Sequence, residues 1–84
     1  MKKLAIVTGG TRGIGEAVSK ALKENGYDVV ASYNSNHEAA LEFTKETGIK
    51  TLSWDVSDYK SCQDAVAKII KEAGTFVSVL VNNA

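Results

Sequence analysis

The sequence lacks features on which several classes of protein depend. It has a single cysteine, so it cannot form an internal disulfide, and the expected compartment is the reducing cytoplasm. No apolar run approaches the roughly 20 residues that cross a bilayer. Lys2-Lys3 precedes only four apolar residues, which argues against a signal peptide. The net charge is zero without blocks of like charge, so neither nucleic acid nor an anionic membrane is an expected partner.

Metal ligands and proline are also missing. No group of His, Cys, Asp and Glu has the spacing of a metal site. His37 lies alone in the first turn of a predicted helix, and the sequence offers it no acid or cysteine partner for a catalytic role. Proline is absent, which excludes nothing in so short a chain. The remaining composition, 44% apolar and 24% charged, is that of an ordinary globular protein. With 84 residues the chain suffices for one small domain.

Apolar runs and helical patterns alternate along the chain. Leu4–Val7 is continuously apolar, which predicts a strand buried on both faces. Further strands are predicted at about 27–33, 49–54 and 76–81, and helices at about 16–24, 37–46 and 59–73. In the first helix the predicted apolar stripe is Ile14, Ala17, Val18, Ala21 and Leu22. The order β-α-β-α-β-α-β predicts an α/β fold, the first half of a Rossmann-type doubly wound parallel sheet with strand order 3-2-1-4.

A glycine-rich run lies between the first predicted strand and the first helix. It has the sequence Thr-Gly-Gly-Thr-Arg-Gly-Ile-Gly over residues 8–15. Glycine adopts positive φ and lets a ligand approach the main chain, while the free N–H groups of a helix start attract an anion. The run therefore predicts a phosphate-binding site. A plain strand-to-helix turn is the alternative, but it needs fewer glycines.

Two common phosphate loops do not fit the run. A Walker loop requires lysine after its last glycine, and Glu16 stands there, where an acid would repel a triphosphate. The dinucleotide fingerprint G-x-G-x-x-G requires a third glycine where this chain has Val18. The pattern that the run does have is Thr-Gly-x-x-x-Gly-x-Gly, over residues 8–15.

That pattern resembles the cofactor loop of the short-chain dehydrogenase/reductase family. Two further matches follow in the family's order: Asp55-Val56 after the third predicted strand, and Asn82-Asn83-Ala84 after the fourth. Together the motifs extend the resemblance from Lys3 to Ala84, and within the family the chain is most similar to bacterial 3-oxoacyl reductases of the acetoacetyl-CoA or acyl-carrier-protein type. The resemblance implies a nicotinamide dinucleotide cofactor and an oxidoreductase.

The resemblance also implies roles for individual residues. Asp55 would accept a hydrogen bond from the adenine amino group and Val56 would offer a backbone contact, whereas a helix N-cap is the alternative for Asp55. Asn82 would lie beside the cofactor ribose and hold the central strands together. The loop residues implied to contact the cofactor are Gly9, Thr11, Arg12, Gly13, Ile14 and Gly15.

Two positions favour NADP(H) over NAD(H). Arg12 offers a guanidinium for a 2′-phosphate on the adenosine ribose. The end of the second predicted strand, where an acid would accept from a free ribose 2′-hydroxyl, has the neutral Tyr33-Asn34-Ser35 instead. The alternative is a solvated Arg12 and a simple turn at Asn34.

The family's chemistry uses a serine and a Tyr-x-x-x-Lys pair, and the sequence contains no Tyr-x-x-x-Lys. Tyr27, Tyr33 and Tyr59 are followed four residues later by Ala31, His37 and Gln63. No catalytic residue is therefore assigned. The expectation is that residues 1–84 form a truncated dinucleotide-binding half-domain, inactive alone. The alternatives are the first half of a split reductase and a non-catalytic nucleotide-binding or interaction module, with a complementary chain or a second copy bound at the fourth strand.

Overall fold

The computed structural model describes residues 3–55 and 57–83. Strands and helices alternate strictly along this part of the chain, as the apolar periodicity predicts. The strands are β1 (Leu4–Val7), β2 (Asp28–Tyr33), β3 (Lys50–Ser53) and β4 (Val77–Val81). The helices are α1 (Gly13–Glu24), α2 (His37–Thr47) and α3 (Tyr59–Ala73).

The strands form one parallel sheet in the order β3-β2-β1-β4, which confirms the predicted topology. β1 is central, and its residues pair with β2 in an unbroken register from Leu4–Asp28 to Val7–Ala31. On the other side the register with β4 shifts between Leu4 and Ala5, so one residue of β4 is looped out. Because β1 and β2 are parallel, their carboxyl ends lie at the same edge of the sheet.

Two apolar clusters cover the two faces of the sheet. On one face α3 packs its Ala65 and Ile69 against Leu4, Ile6 and Val30. The other face carries α1 and α2, where buried residues include Ala5, Val7, Val29, Ala31 and Phe43. All four residues of β1 are at most 1% exposed, which confirms the prediction of a strand buried on both faces. The arrangement is the doubly wound one, with helices on each side of the sheet.

The helix boundaries follow from their end residues. Asn36 begins α2 and accepts from the Ala39 amide, and Asp58 begins α3 and accepts from the Lys60 and Ser61 amides. Gly48 and Gly74 end these two helices in the left-handed conformation, which glycine adopts without a steric penalty. These caps account for predicted helix boundaries that lie within one residue of those observed.

The prediction for α1 was wrong in two respects. The helix begins at Gly13, three residues before the predicted start, because the glycines that shape the loop also enter the first turn. Its buried face consists of Gly15 and Ser19, with Val18 and Leu22 partly buried. Of the predicted stripe, Ile14 is 76% exposed, and Ala17 and Ala21 are exposed as well. The start of α1 lies so close to the glycine loop that only small side chains fit on its buried face.

β4 is the outermost strand on its side of the sheet. It pairs with β1, and no described strand lies beyond it. Val77, Val79 and Val81 are partly buried, but Leu80 is 62% exposed and Phe76, just before the strand, is 82% exposed. An apolar strand thus has one unpaired edge and an open face.

Candidate functional site

The glycine run forms the connection between β1 and α1 at the carboxyl edge of the sheet. Gly9 and Gly13 have φ angles of 62° and 60°, a region that residues with a Cβ avoid. The Gly10 amide donates to the Ser32 carbonyl at 3.1 Å, and the Gly9 amide donates to the Ser32 hydroxyl at 3.1 Å. The loop is therefore fastened to the neighbouring strand β2 by its own main chain.

Gly15 is required for a different reason: a side chain at this position would clash with neighbouring atoms. A Cβ on Gly15 would overlap the Gly9 carbonyl oxygen and lie 2.7 Å from Asn83 Nδ2. Gly10 is equally confined, since a Cβ there would meet Ala31 Cβ and Ser19 Oγ, both at 2.8 Å. Sequence reasoning missed the role of Gly10, because the atoms that crowd it come from β2 and from the middle of α1.

The first turn of α1 leaves main-chain donors available. Its first residues have no partners for their N–H groups within the helix, and Arg12, the N-cap, is extended and makes no side-chain capping bond. The partial positive charge of the helix start is thus free to attract an anion.

An open cleft of about 500 Å³ lies beside this loop. Its walls come from the loop, the end of β2, the start of α2 and the end of β3. The lining residues are Gly9, Thr11, Arg12, Ser32, Tyr33, Asn34, Ser35, Asn36, Ala39, Trp54 and Asp55. Five of the residues singled out from the sequence meet here, although they come from three separate stretches of chain.

Four other predicted site residues do not line the cleft. Gly13 and Ile14 are exposed in the first turn of α1, and Gly15 is buried against Gly9. Asn82 lies after β4, where its Oδ1 accepts from the Thr8 hydroxyl at 3.3 Å. Val56 lies outside the described residues. Cofactor contacts stay predictions for all ten residues named from the sequence.

Asp55 lies at the mouth of the cleft as an exposed carboxylate. Its Oδ1 accepts from the Ser57 hydroxyl at 2.6 Å and from the Ser57 amide at 2.9 Å. The Ser57 hydroxyl bond, followed by the amide bond, lowers the pKa of Asp55 below its usual value. The alternative of a helix cap is wrong for Asp55, because Asp58 caps α3. Within the described residues, Asp55 Oδ2 accepts no hydrogen bond and stays available to a ligand donor.

The wall formed by the end of β2 carries neutral polar groups. Asn34 and Ser35 line the cleft, and Ser53 Oγ donates to the Asn34 carbonyl at 3.0 Å, which fixes the main chain there. The Tyr33 hydroxyl is 2.8 Å from His37 Nδ1, and the two rings meet edge to face. His37 thus has an aromatic partner that the sequence did not predict. No acidic side chain comes from this wall.

Thr8 joins the glycine loop to the end of β4. Its amide donates to the Val81 carbonyl at 2.9 Å, and its hydroxyl accepts from the Asn83 amide at 2.8 Å. Asn83 Nδ2 also donates to the Gly9 carbonyl at 3.4 Å. The residues that follow β4 therefore support the loop.

These residues fit a dinucleotide phosphate. Gly15 has no room for a Cβ, Gly9 adopts a conformation natural to glycine, and an uncapped helix start adjoins a polar cleft with one arginine. Such a cradle holds an anion through main-chain donors rather than through a binding lysine.

Comparisons with known proteins agree with this geometry. The model of the short chain dehydrogenase family matches residues 3–84. Over 84 residues the chain is 56% identical to the acetoacetyl-CoA reductase of Paracoccus denitrificans, covering 100% of this chain and 34% of the relative. It is 39% identical to the 3-oxoacyl-(acyl-carrier-protein) reductase FabG of Vibrio harveyi, covering 98% and 34%.

The solved structures show the same likeness. A short-chain dehydrogenase/reductase from Sinorhizobium meliloti 1021 superposes with a TM-score of 0.90 at 33% identity, covering 99% of this chain and 40% of that chain. The chain thus spans about a third of the length of the curated relatives it matches. Among its described helices, none has the length and apolar character needed to cross a membrane.

Proposed function

The chain belongs to the short-chain dehydrogenase family, and from that premise we propose that its cleft binds NADP(H) in the cytoplasm as the cofactor-binding part of an oxidoreductase. The observation that carries the proposal is the convergence of Gly9, Thr11, Arg12, Asn34 and Asp55 on one cleft beside an uncapped helix start. These residues are far apart in sequence and meet at the carboxyl edge of the parallel sheet, which is where ligands bind in sheets of this kind.

The proposed orientation of the cofactor follows from the groups around the cleft. The pyrophosphate lies against the glycine loop and the start of α1, with Gly13, Ile14 and Gly15 contributing main-chain contacts. The adenine amino group donates to Asp55, whose Oδ2 is available, and Val56 adds a backbone contact. Asn82 lies towards the ribose. When bound, the nicotinamide supplies or accepts a hydride.

The preference for NADP(H) rests on charge. Arg12 and the neutral Asn34 and Ser35 line the same cleft, and Asn34 and Ser35 directly follow β2. A 2′-phosphate gains a charge-assisted hydrogen bond from the guanidinium, and no carboxylate of the β2 end repels it. A free 2′-hydroxyl, as in NAD(H), lacks the acidic acceptor that commonly binds it.

For the complete reductase we propose a 3-oxoacyl thioester as substrate, carried on CoA or on an acyl-carrier protein. Support comes from the relatives, an acetoacetyl-CoA reductase and a 3-oxoacyl-(acyl-carrier-protein) reductase. The 84 residues contain no Tyr-x-x-x-Lys, so the proton donor for a carbonyl oxygen must come from elsewhere. Alone, the chain is proposed to bind cofactor without reducing substrate.

A second candidate role, association through β4, is favoured by the exposed side of that strand. Leu80 and Phe76 are more than half exposed, and the outer edge of β4 has no described neighbour. Such an edge recruits another strand. The partner is either a separate chain that completes a split reductase or a second copy of this chain.

Replacement of Arg12 tests the cofactor preference. In Arg12→Ala, the Kd for NADPH should rise roughly tenfold to a hundredfold, because a hydrogen bond to a charged group is lost, while the Kd for NADH changes little. Lys45→Ala removes an exposed cation from α2, outside the cleft lining, and serves as control. An unchanged ratio of the two affinities would contradict the assignment of Arg12.

Activity is tested in a chimera. This chain replaces the matching third of the Paracoccus denitrificans reductase, and NADPH oxidation is followed with acetoacetyl-CoA. The chimera should turn over and the 84-residue chain should not. Turnover by the chain alone would overturn the proposal that it lacks the catalytic groups, and a folded chimera that binds no NADPH would overturn the cofactor site.

A further inference from the structure

Ser32 lies in the floor of the cleft, at a position that the sequence did not single out. It is 1% exposed, near the carboxyl end of the interior strand β2, where it pairs with Leu52 of β3. Its hydroxyl accepts from the Gly9 amide and its carbonyl accepts from the Gly10 amide, so both its side chain and its main chain contact the glycine loop. Ser32 and Gly9 both line the cleft, so the bond between them borders the ligand space.

The Ser32 hydroxyl is only partly satisfied. A hydroxyl offers one proton and two acceptor positions. The Gly9 amide uses one acceptor position, and within residues 3–55 and 57–83 nothing accepts the Ser32 proton. Buried donors in native proteins almost always have an acceptor. The unmatched donor lies at the wall of a cleft, so a ligand is a natural source of the acceptor.

The surroundings indicate what kind of ligand atom that is. The same cleft presents the Arg12 guanidinium, the Asn34 amide and the start of α1, all suited to a ligand rich in oxygen acceptors. A hydroxyl that already accepts from an N–H is polarised and donates more strongly. The Gly9 amide also holds the Ser32 hydroxyl oxygen in place, so only the hydroxyl proton has to rotate when a ligand binds.

We propose that Ser32 is a nucleotide-binding residue whose hydroxyl accepts from the Gly9 amide and donates its proton to an oxygen of the adenosine 2′,5′-diphosphate part of the bound cofactor. This inference rests on the proposed cofactor site. It adds a contact from the floor of the cleft, and it couples the position of the glycine loop to the presence of the ligand.

Trp54 gives a direct optical readout of the cleft. It is the only tryptophan of the chain, it is 9% exposed, and it lines the same cleft. Its Nε1 is buried without a hydrogen-bond partner among the described residues. Binding beside Ser32 should therefore change the Trp54 fluorescence, independently of any catalytic turnover.

The test compares Ser32→Ala and Ser32→Cys with the unsubstituted protein. Cysteine keeps nearly the volume of serine but donates weakly, so it separates lost donation from lost packing. Thr44→Val is the control, because it removes a partly buried hydroxyl from the Thr44–Thr51 contact between α2 and β3, away from the cleft. The Kd for NADPH and for 2′,5′-ADP is measured from Trp54 fluorescence, and stability without ligand is measured by thermal unfolding. Both the 84-residue chain and the chimera are used.

Ser32→Ala and Ser32→Cys should each raise both Kd values about tenfold to a hundredfold, and Thr44→Val should lower the thermal midpoint without changing either Kd. If both Ser32 variants bind as tightly as the unsubstituted protein, the Ser32 assignment is overturned while the cofactor site stands. If 2′,5′-ADP affinity is unchanged and only NADPH affinity falls, the proposed acceptor is wrong. Absence of NADPH binding by the unsubstituted chimera would overturn the proposed function as well.

Discussion

At Gly15 a single added Cβ atom would prevent the glycine loop from forming. The start of α1 lies so close to Gly9 that even a methyl group at position 15 would overlap the Gly9 carbonyl. The loop must therefore open if the residue is enlarged, and its main-chain donors then move away from the proposed phosphate position. Gly10 is confined in the same way by Ser19, which donates to the Gly10 carbonyl at 3.1 Å.

Gly15→Ala should destabilise the fold by about 1–3 kcal/mol, the usual range for overpacking, and should abolish measurable NADPH binding. Gly74→Ala is the control: its φ of 70° makes alanine costly, by about 1–2 kcal/mol, yet it lies at the end of α3 with nothing near the added Cβ. Chemical denaturation and NADPH titration distinguish the two variants. Equal affinities would show that the loop does not hold the ligand.

The lowered pKa of Asp55 predicts how the stability of the fold changes at acid pH. Its pKa is lowered by the hydrogen bonds from Ser57, so it binds fewer protons when folded than when unfolded. Its contribution to stability is therefore present above the unfolded pKa and lost as the pH falls through the folded pKa. In an NMR titration of carboxyl shifts, the Asp55 midpoint should lie below the usual aspartate value, and Ser57→Ala should raise it. The distant control Ser78→Ala should leave the Asp55 midpoint unchanged. If Ser57→Ala also leaves it unchanged, the hydrogen bonds from Ser57 are not the cause of the lowered pKa.

Residue roles were predictable where one local pattern determines them. The left-handed glycines of the loop and the caps at Asn36 and Asp58 follow from short sequence signals. Gly10, Ser19 and Ser32 could not be assigned in this way, because their partners lie on other elements and become visible only when α1 and β2 pack against the loop. Ile14 was misplaced for the same reason, since the sheet contacts Gly15 and Ser19 instead.

Among the elements, β4 combines an apolar sequence with the edge position that the predicted order 3-2-1-4 gives it. Its nearly continuous apolar run resembles that of an interior strand, and in the described residues it is nevertheless an edge strand. The bulge opposite Leu4–Ala5 changes which residues face α3, and Leu80 beside Ile6 stays 62% exposed. An apolar edge of this kind favours association.

Leu80→Lys should reduce self-association of the chain without unfolding it, because a charge on an exposed strand position disfavours edge pairing. Leu41→Lys is a matched control, since Leu41 is 69% exposed on α2 and away from β4. Sedimentation velocity across a concentration series measures the effect, with circular dichroism to check the fold. Equal association of both variants would exclude β4 as the contact surface.

For the whole molecule, the alternation of apolar runs and helical patterns was sufficient to predict the topology. A parallel sheet with right-handed crossovers leaves few arrangements of four strands, and the observed order β3-β2-β1-β4 is the predicted one. The same topology explains why Gly9, Asn34 and Asp55 meet, since each follows the carboxyl end of a neighbouring strand. The shape of the cleft was not predictable, because it depends on how closely α1 approaches the loop.

The most direct test of the account is an amide NMR titration with NADPH. If NADPH binds in the cleft, saturable shifts should concentrate at the cleft residues, above all Gly9, Thr11, Arg12, Asn34 and Asp55, with Ser32 among them. Shifts confined to the separate groove lined by Lys50 and Lys68, on the α3 side of the sheet, or no shifts at millimolar NADPH from a folded chain, would contradict it.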